Sequence, residues 1–467
     1  MNTSTSSITP IAPREPAIVE YSSTTNPVAV RRWLLLICCI ALVLRLLAII
    51  ILQAWRYPGA MEHQSIARYL VIGEGFKFYD WGLAQYTSVQ SPLFPYLLAF
   101  FYWVFGYDQP GSYICMMVLN ALLGAATSAL VYAMVRALRG SVAVGLIAAA
   151  LFAVWPTQVY ATTFVQAISF ITFCSLAVIW LFYLSVDTKR LAPWIGYGLL
   201  GCVGALTEPV LLPFMALSGL LILFWPGLCW KIRFRNAVVL FGCAVVVLGP
   251  WTLRNYQIHG KFMPVKSTFW VNLWKGNNPN ASGTDRPRLS EEKKAILTQN
   301  LTDEQLRDPD FDKIRQYDLL SPEQRDLLTG KTEVEREVIF SIFAKSFIKE
   351  NPGRYVELCA LRFWKTIWVE ADNPKAHGLK QYAMYWTPRT ILLILTPIGL
   401  IFAWRRGWRM AIPFLVVGSA LLTYTLTIAA ARFALPYEPW QLSLIAVVIA
   451  AALKLPTNKA QELAGTH

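Results

Sequence analysis

Apolar runs recur along most of the chain, separated by short turns that carry Lys or Arg. The runs lie at roughly 33–55, 111–135, 141–160, 164–184, 192–208, 210–228, 236–253, 388–404, 411–430 and 435–453. At about 1.5 Å per helical residue, most of them match the roughly 30 Å hydrocarbon core of a bilayer. A transmembrane β-barrel would instead show short segments of alternating polarity. The pattern predicts an all-α polytopic membrane protein, a helix bundle of about ten spans. A further apolar stretch, SPLFPYLLAFFYWVFG at 91–106, is shorter and has Pro92 and Pro95 near its start.

The charges decide how that stretch is read. Arg31 and Arg32 place the N-terminus on the basic, cytoplasmic side. If 91–106 does not cross, every short basic cluster falls on that same side. The clusters are Arg136 with Arg139, Lys189 with Arg190, Lys231 with Arg233 and Arg235, Arg405 with Arg406 and Arg409, and Lys454 with Lys459. If it does cross, every later cluster is inverted. The stretch is therefore expected to be an interfacial helix, with Phe100, Phe101, Tyr102 and Trp103 at the headgroup level.

Two segments then face outward, a first loop at 56–110 and a hydrophilic segment at 254–387 that holds most of the acidic residues. The organisation expected is a disordered Ser/Thr/Pro-rich tail (1–30), an N-terminal transmembrane module (31–253), the outward segment, C-terminal transmembrane helices (388–454) and a cytoplasmic tail (455–467). Alternating charge over 288–350 reads as small solvated helices, with starts at Ser290 and Ser321.

Composition agrees. Charged residues make up 15% of the 467, against about 25% for a typical soluble protein. The net charge of +14 gathers at the ends of apolar runs, so it speaks for topology and against nucleic acid. Of the eight Cys only Cys359 lies in a polar region, and the set has no metal or disulfide spacing. The four His are scattered, which argues against a His-built zinc site.

The first loop holds the candidate chemistry. Residues 61–72 read as a helix ended by Gly73 and Gly75. Glu62 and His63 head the two stripes Ile66–Leu70 and Ala67–Val71, so both should face protein or headgroups. An acid at a helix N-terminus is held as the anion, the form that a general base or a metal ligand needs. Glu is equally a good first-turn residue. Asp80, among aromatics, is the second candidate acid, or simply a turn residue. Side chains one residue apart on a helix diverge by about 100°, so His63 is not expected to pair directly with Glu62.

Several stretches together resemble the bacterial members of glycosyltransferase family 39. They are EHQSIARYLVIGEGF with SPLFPYLLAFFYWVFG, VWPTQVYATTFVQAISF, PWTLRNYQIHGKFMPV, LWKGNNPNASG, ENPGRYVELCALRFWKTIW and ARFALPYEPWQLSLIA. Their order and spacing carry the resemblance, which extends from about residue 33 to residue 453. The family comprises GT-C-type membrane enzymes, including protein O-mannosyltransferases and lipid A aminoarabinose transferases. The resemblance implies a GT-C-like bundle with a mainly helical outward domain. It also implies a hexosyltransferase-type enzyme of the bacterial inner membrane that uses a polyprenyl-phosphate-linked sugar at its periplasmic face. The acceptor would be a lipid, a glycan or a protein.

The family's first-loop acid often belongs to an Asp-Glu pair. Here the matching positions are near Gly59 and Ala60, so the resemblance passes the role to Glu62 or Asp80, or the activity is altered. Gln166 stands where many relatives have Glu. Glu208 stands where they have Arg or Asn, as a substitute acid or as a polar hairpin tip. The resemblance leaves a divalent metal open, with no ligand assigned.

The implied chemistry needs a carboxylate to take the acceptor's proton and cations for the leaving phosphate. Arg254, Asn255 and Arg432 are candidates for the phosphate, and Asn277 and His63 for the sugar side. Arg254 and Arg432 read equally well as interfacial anchors. Lys266 and Lys275 read as anchors or loop residues. The competing reading is a non-enzymatic flippase, transporter or scaffold for a lipid-linked sugar. A transporter usually carries charge or broken helices at mid-bilayer, where this chain has only Arg45.

Overall fold

A computed structural model describes residues 26–80, 84–284, 320–368 and 386–464. It is a helix bundle whose only sheet among these residues is one short hairpin. Chain order gives α1 (Pro27–Ile51), α2 (Met61–Val71), β1 (Phe78–Asp80), β2 (Ala84–Tyr86), α3 (Leu93–Phe105), α4 (Pro110–Ala137), α5 (Val142–Val154) and α6 (Pro156–Ala161). Then come α7 (Ile168–Thr188), α8 (Leu191–Ala205), α9 (Leu211–Phe224), α10 (Trp230–His259) and α11 (Phe269–Gly276). The hydrophilic segment adds α12 (Pro322–Leu328), α13 (Glu333–Glu350) and α14 (Pro352–Ile367). The chain closes with α15 (Thr387–Arg405), α16 (Ala411–Leu426), a 3-10 turn (Ala431–Tyr437), α17 (Glu438–Ala452) and α18 (Lys459–Ala464).

Among the described residues, six helices are long and apolar enough to cross a membrane, α17 being counted from Arg432. Five shorter apolar helices accompany them, α3 included. The expected run at 141–160 is two helices. Proline has no N–H and disfavours helix in the residue before it, so the chain breaks at Trp155, which is extended, ahead of Pro156. Helix α1 begins at Pro27, inside the expected tail, with the Asn26 side chain capping Val28 N–H. Helix α10 runs six residues past the expected end at 253, so Arg254 and Asn255 lie within it. The β1–β2 hairpin was not expected from the sequence. The start read at Ser321 is a capping box with Gln324. The one read at Ser290 lies outside the described residues.

The largest core cluster joins α4, α5, α7, α8, α15, α16 and α17, with Phe152, Phe182, Trp194, Tyr197 and Trp440 buried in it. The basic turns meet on one face. Arg409 N–H donates to Leu138 O, and its guanidinium pairs with Asp187 at 2.7 Å. Arg235 donates to Lys189 O, and Asn458 to Arg406 O. Residues 455–464, expected as a free tail, dock there. Glu462 pairs with Arg136 at 2.7 Å, and Lys459 N–H donates to Arg139 O.

Both ends of α3 lie at the opposite face. Leu93 N–H reaches Leu206 O at the end of α8, and Asp108, just past α3, accepts from Gln64 of α2. The helix returns to the face it started from. Helix α14 is amphipathic. Val356, Phe363 and Trp364 form an exposed apolar stripe, continued by the stacked Trp364–Trp368 pair and by Trp386. Its other face packs on α16 and the 431–437 turn.

Candidate active site

Helix α2 positions the first-loop residues. Ile66 and Ala67 are fully buried, the latter in one cluster with Phe94 and Leu98 of α3. Gln64 donates to Asp108 at 3.0 Å, which fixes the roll of the helix. Val165 N–H donates to Pro58 O at 2.8 Å and Gln166 Nε2 to Gly59 O at 3.3 Å, which pins the entry to α2. Gly59 adopts φ +57°, a left-handed conformation that favours glycine, and Gly73 closes the helix at φ +82°.

Glu62 occupies the first turn and keeps an accessible edge, although protein surrounds it on the other sides. Burial alone would raise its carboxyl. The hydrogen bond with its own backbone, the His63 imidazole, and the cations Arg432 and Lys275 outweigh burial and hold it below the ordinary carboxylate range. His63 stacks on Phe94 at 5.0 Å, and its Nδ1 has no hydrogen-bond partner among the described residues. Burial pushes its imidazole down to about 4, so the ring is neutral at pH 7. Glu62, Lys266, Glu208 and Arg432 all act on that ring.

Glu62 thus sits in a recess, and these charged groups lie near enough to act on it or on His63. Glu208 and Lys266 form a pair at 3.1 Å. Tyr424 stacks on Phe433 at 4.4 Å, beside Arg432. The Arg432 guanidinium lies 5.4 Å from the Phe433 ring centroid, and it makes no hydrogen bond among the described residues. Lys275 is held by α11, whose Trp270 and Val271 amides are capped by Glu337 at 2.9 and 3.3 Å.

The remaining expected residues lie elsewhere. Arg254 Nη1 donates to Thr87 O, Ser88 Oγ and Asn255 Oδ1, and the guanidinium stacks over Trp251 at 4.4 Å. Asn255 is fully buried and donates to Met263 O and Val265 O. Both belong to a brace completed by Glu333, which accepts from Thr87, Ser88 and Ser267. Asn277 is fully buried between Leu273 O and the Arg362 guanidinium. Asp80 ends β1, paired with Ala84 across the hairpin. A separate apolar groove of about 360 Å³ runs between α3, the end of α8 and α10. Tyr96, Leu206 and Trp251 line it, with Arg254 at its polar end.

Sequence reasoning noted Lys266, Lys275 and Glu208 but favoured loop, anchor and hairpin roles for them; the fold brings all three to the recess. It did not single out Tyr424, Tyr437, Glu337 or Arg362. Only contacts between segments far apart in the chain reveal those. No three His, Cys, Asp or Glu side chains converge among the described residues. Glu208 is neutralised by Lys266, and Glu62 faces two cations. This donor set suits an anion and does not fit a divalent ion.

Comparison with known proteins adds a partial family match and a fold. Residues 89–251 match the family model for dolichyl-phosphate-mannose-protein mannosyltransferase. Glu62, Lys275 and Arg432 fall outside that match. No curated protein matches the chain by sequence. Among solved structures, the apo oligosaccharyltransferase of Archaeoglobus fulgidus superposes with a TM-score of 0.52 at 14% identity, over 92% of this chain and 52% of that one. The same archaeal enzyme in complex with an inhibitory peptide and a dolichol-phosphate gives 0.50 at 15% identity, over 91% and 51%. The chain thus spans about half the length of that protein. ArnT from Cupriavidus metallidurans bound to undecaprenyl phosphate aligns over 90% of this chain and 79% of that one, at 15% identity and a TM-score of 0.37. The helix bundle is thus similar in fold to the archaeal oligosaccharyltransferase, and the family match covers residues 89–251.

Proposed function

We propose that the chain is a membrane glycosyltransferase that moves a sugar from a polyprenyl-phosphate donor to an acceptor hydroxyl at the site face. The observation that supports this reading is that Arg432 and Lys275, from two distant segments, lie near enough to Glu62 for their charge to hold its carboxyl down. A carboxylate beside two cations is what the reaction needs. Glu62 takes the hydroxyl proton as that oxygen attacks the anomeric carbon. The bond from carbon to lipid-phosphate oxygen breaks, and its electron pair leaves with the phosphate. The phosphate passes from one negative charge to two, and Arg432 and Lys275 stabilise the charge that develops. Attack opposite the leaving group inverts the anomeric centre. Neutral His63 serves as a hydrogen-bonding wall and not as a third cation.

The site face is outward and the basic face cytoplasmic, as the positive-inside rule requires. Bacterial inner membrane is the compartment that fits. A transporter would usually carry charge at mid-span; the one such charge read from the sequence, Arg45, donates to Ala41 O and Ala153 O at the end of α5.

The test uses the full chain in lipid nanodiscs. Glu62→Gln should lower transfer by about 10²- to 10⁴-fold and still bind polyprenyl phosphate. Normal transfer by that variant, with loss in Asp80→Asn, moves the base to Asp80. A Cys at Tyr57, 75% exposed on the site face, should label from outside intact cells; protection there inverts the orientation.

A further inference from the structure

Arg362 is fully buried in α14, and among the described residues no carboxylate accompanies it. A guanidinium has five N–H donors to satisfy, and a buried donor left unmet destabilises the fold. Its partners are unusual in kind. Nε donates to Thr425 O at 2.6 Å, Nη1 to Gly276 O at 2.6 Å, and Nη2 to Asn277 Oδ1 at 3.2 Å. Cys359 Sγ lies 3.2 Å from Nη2. Gly276 is the last residue of α11, and Thr425 lies in the last turn of α16. The carbonyls at a helix C-terminus lack partners within the helix and carry the negative end of its dipole. One side chain thus caps two helix ends at once.

Those two ends touch. A Cβ at Gly276 would fall 1.9 Å from Thr427 O and 3.2 Å from Arg362 Nη1, so only glycine permits the approach. Lys275 precedes Gly276 directly. The 3-10 turn that carries Arg432 follows Thr427 after three residues and packs on α14. Both cations facing Glu62 therefore hang from the two ends that Arg362 joins.

We propose that Arg362 is a positioning residue, which sets the spacing of Lys275 and Arg432 across the recess from Glu62. It touches neither the donor nor the reacting atoms. The inference rests on the function proposed above, because it matters only if those two cations hold the lipid phosphate. It says that the recess keeps its anion-binding shape through a clamp on the extramembranous helix α14.

The experiment compares Arg362→Lys with Arg336→Lys in full-length protein in nanodiscs. Arg336 is an equally buried arginine that donates to Gln85 O and stacks on Tyr86, away from the recess. Polyprenyl phosphate itself is the probe. Arg362→Lys should bind it about tenfold more weakly, as loss of charge-assisted contacts predicts, while Arg336→Lys binds as wild type at a similar loss of Tm. The acid limb of the transfer profile should also move to higher pH in Arg362→Lys only, because Glu62 loses the cations that depress it. If Arg362→Lys does not fold, Asn277→Ala removes a single contact and should weaken binding by about threefold. Wild-type binding and an unshifted acid limb in the variant that folds overturn the inference. Equal loss in Arg336→Lys does the same, because the effect is then general destabilisation. A wild-type protein that binds no polyprenyl phosphate overturns the function proposed, and this inference with it. An intact Glu62 phenotype beside a silent Arg362 overturns the positioning role alone.

Discussion

The guanidinium of Arg45 donates to Ala153 O at 2.9 Å, joining the middle of α1 to the broken end of α5. A second bond goes to Ala41 O at 3.0 Å, and the cation lies over the Phe152 ring. Pro156 brings no N–H, so the last carbonyls of α5 end in apolar surroundings without their usual partners. Arg45 supplies the donors. Gly124 of α4 makes the room, since a Cβ there would lie 2.4 Å from Arg45 Nε. Arg45→Met should destabilise the protein by about 2–4 kcal/mol, the sum of the orphaned carbonyls. Gly124→Ala should lower Tm in the same direction. Thermal unfolding in detergent checks both, and the folded fraction should still bind polyprenyl phosphate.

Glu337 gives the outward segment a pH dependence. Burial pushes its carboxyl up to about 7, although the Trp270 and Val271 amides and Lys275 pull the other way. An acid whose folded pKa is raised favours the folded state when protonated. Its contribution is complete below about 4.5 and is lost as pH rises through about 7. Stability should therefore fall across that interval, by an amount on the order of 3 kcal/mol. Glu337→Gln should flatten the dependence. Denaturant titrations at pH 4.5 and pH 7.5 on both proteins check the sign.

The fold was legible where one physical rule dominates. Apolar length marked the helices of the bundle, six of them long and apolar enough to cross a membrane among the described residues. The break at Trp155–Pro156 was written in the sequence, but apolarity alone masked it because α6 is as greasy as α5. Glu62 and Arg432 stood out in the sequence as charges beside apolar stretches, and the fold brings them near one another. Arg254, Asn255 and Asn277 carried the right chemistry, yet the structure turns their polar atoms toward Thr87, Met263 and Leu273 backbone. Polar residues near a helix end look alike in sequence whether they meet a ligand or a neighbouring loop. The pairing of Glu208 with Lys266 is likewise visible only in the fold.

The docked C-terminal segment predicts an effect from a residue far from the site. Glu462 accepts from Arg136 at 2.7 Å and from Val142 N–H, one of the unpartnered amides that open α5. Thr457 O accepts from Trp408, and Pro456 O from Ser141. Removing residues 455–467 strips these contacts from two basic turns. The truncated chain should unfold at lower temperature, by about 2–4 kcal/mol in stability, and Glu462→Ala should account for about 1 kcal/mol of it. Full-length protein in high salt should lose only the Glu462 share. Differential scanning measurements on the three samples check the partition.

Glu208 separates the two carboxylates of the recess. It is partly accessible and paired with Lys266 at 3.1 Å, so its charge is already answered. Glu62 has no such partner at pairing distance among the described residues. If Glu62 is the base, Glu208→Gln should leave transfer measurable. It should also free the Lys266 ammonium and tighten polyprenyl phosphate binding by up to about fivefold, the effect of roughly 1 kcal/mol at a half-exposed site. That gain should shrink in high salt, because screening acts on exposed charge. Lys266→Gln should move binding the opposite way. Abolished transfer in Glu208→Gln, with activity kept in Glu62→Gln, would reverse the assignment. The recess would then work from the α8–α9 turn, where Glu208 pairs with Lys266.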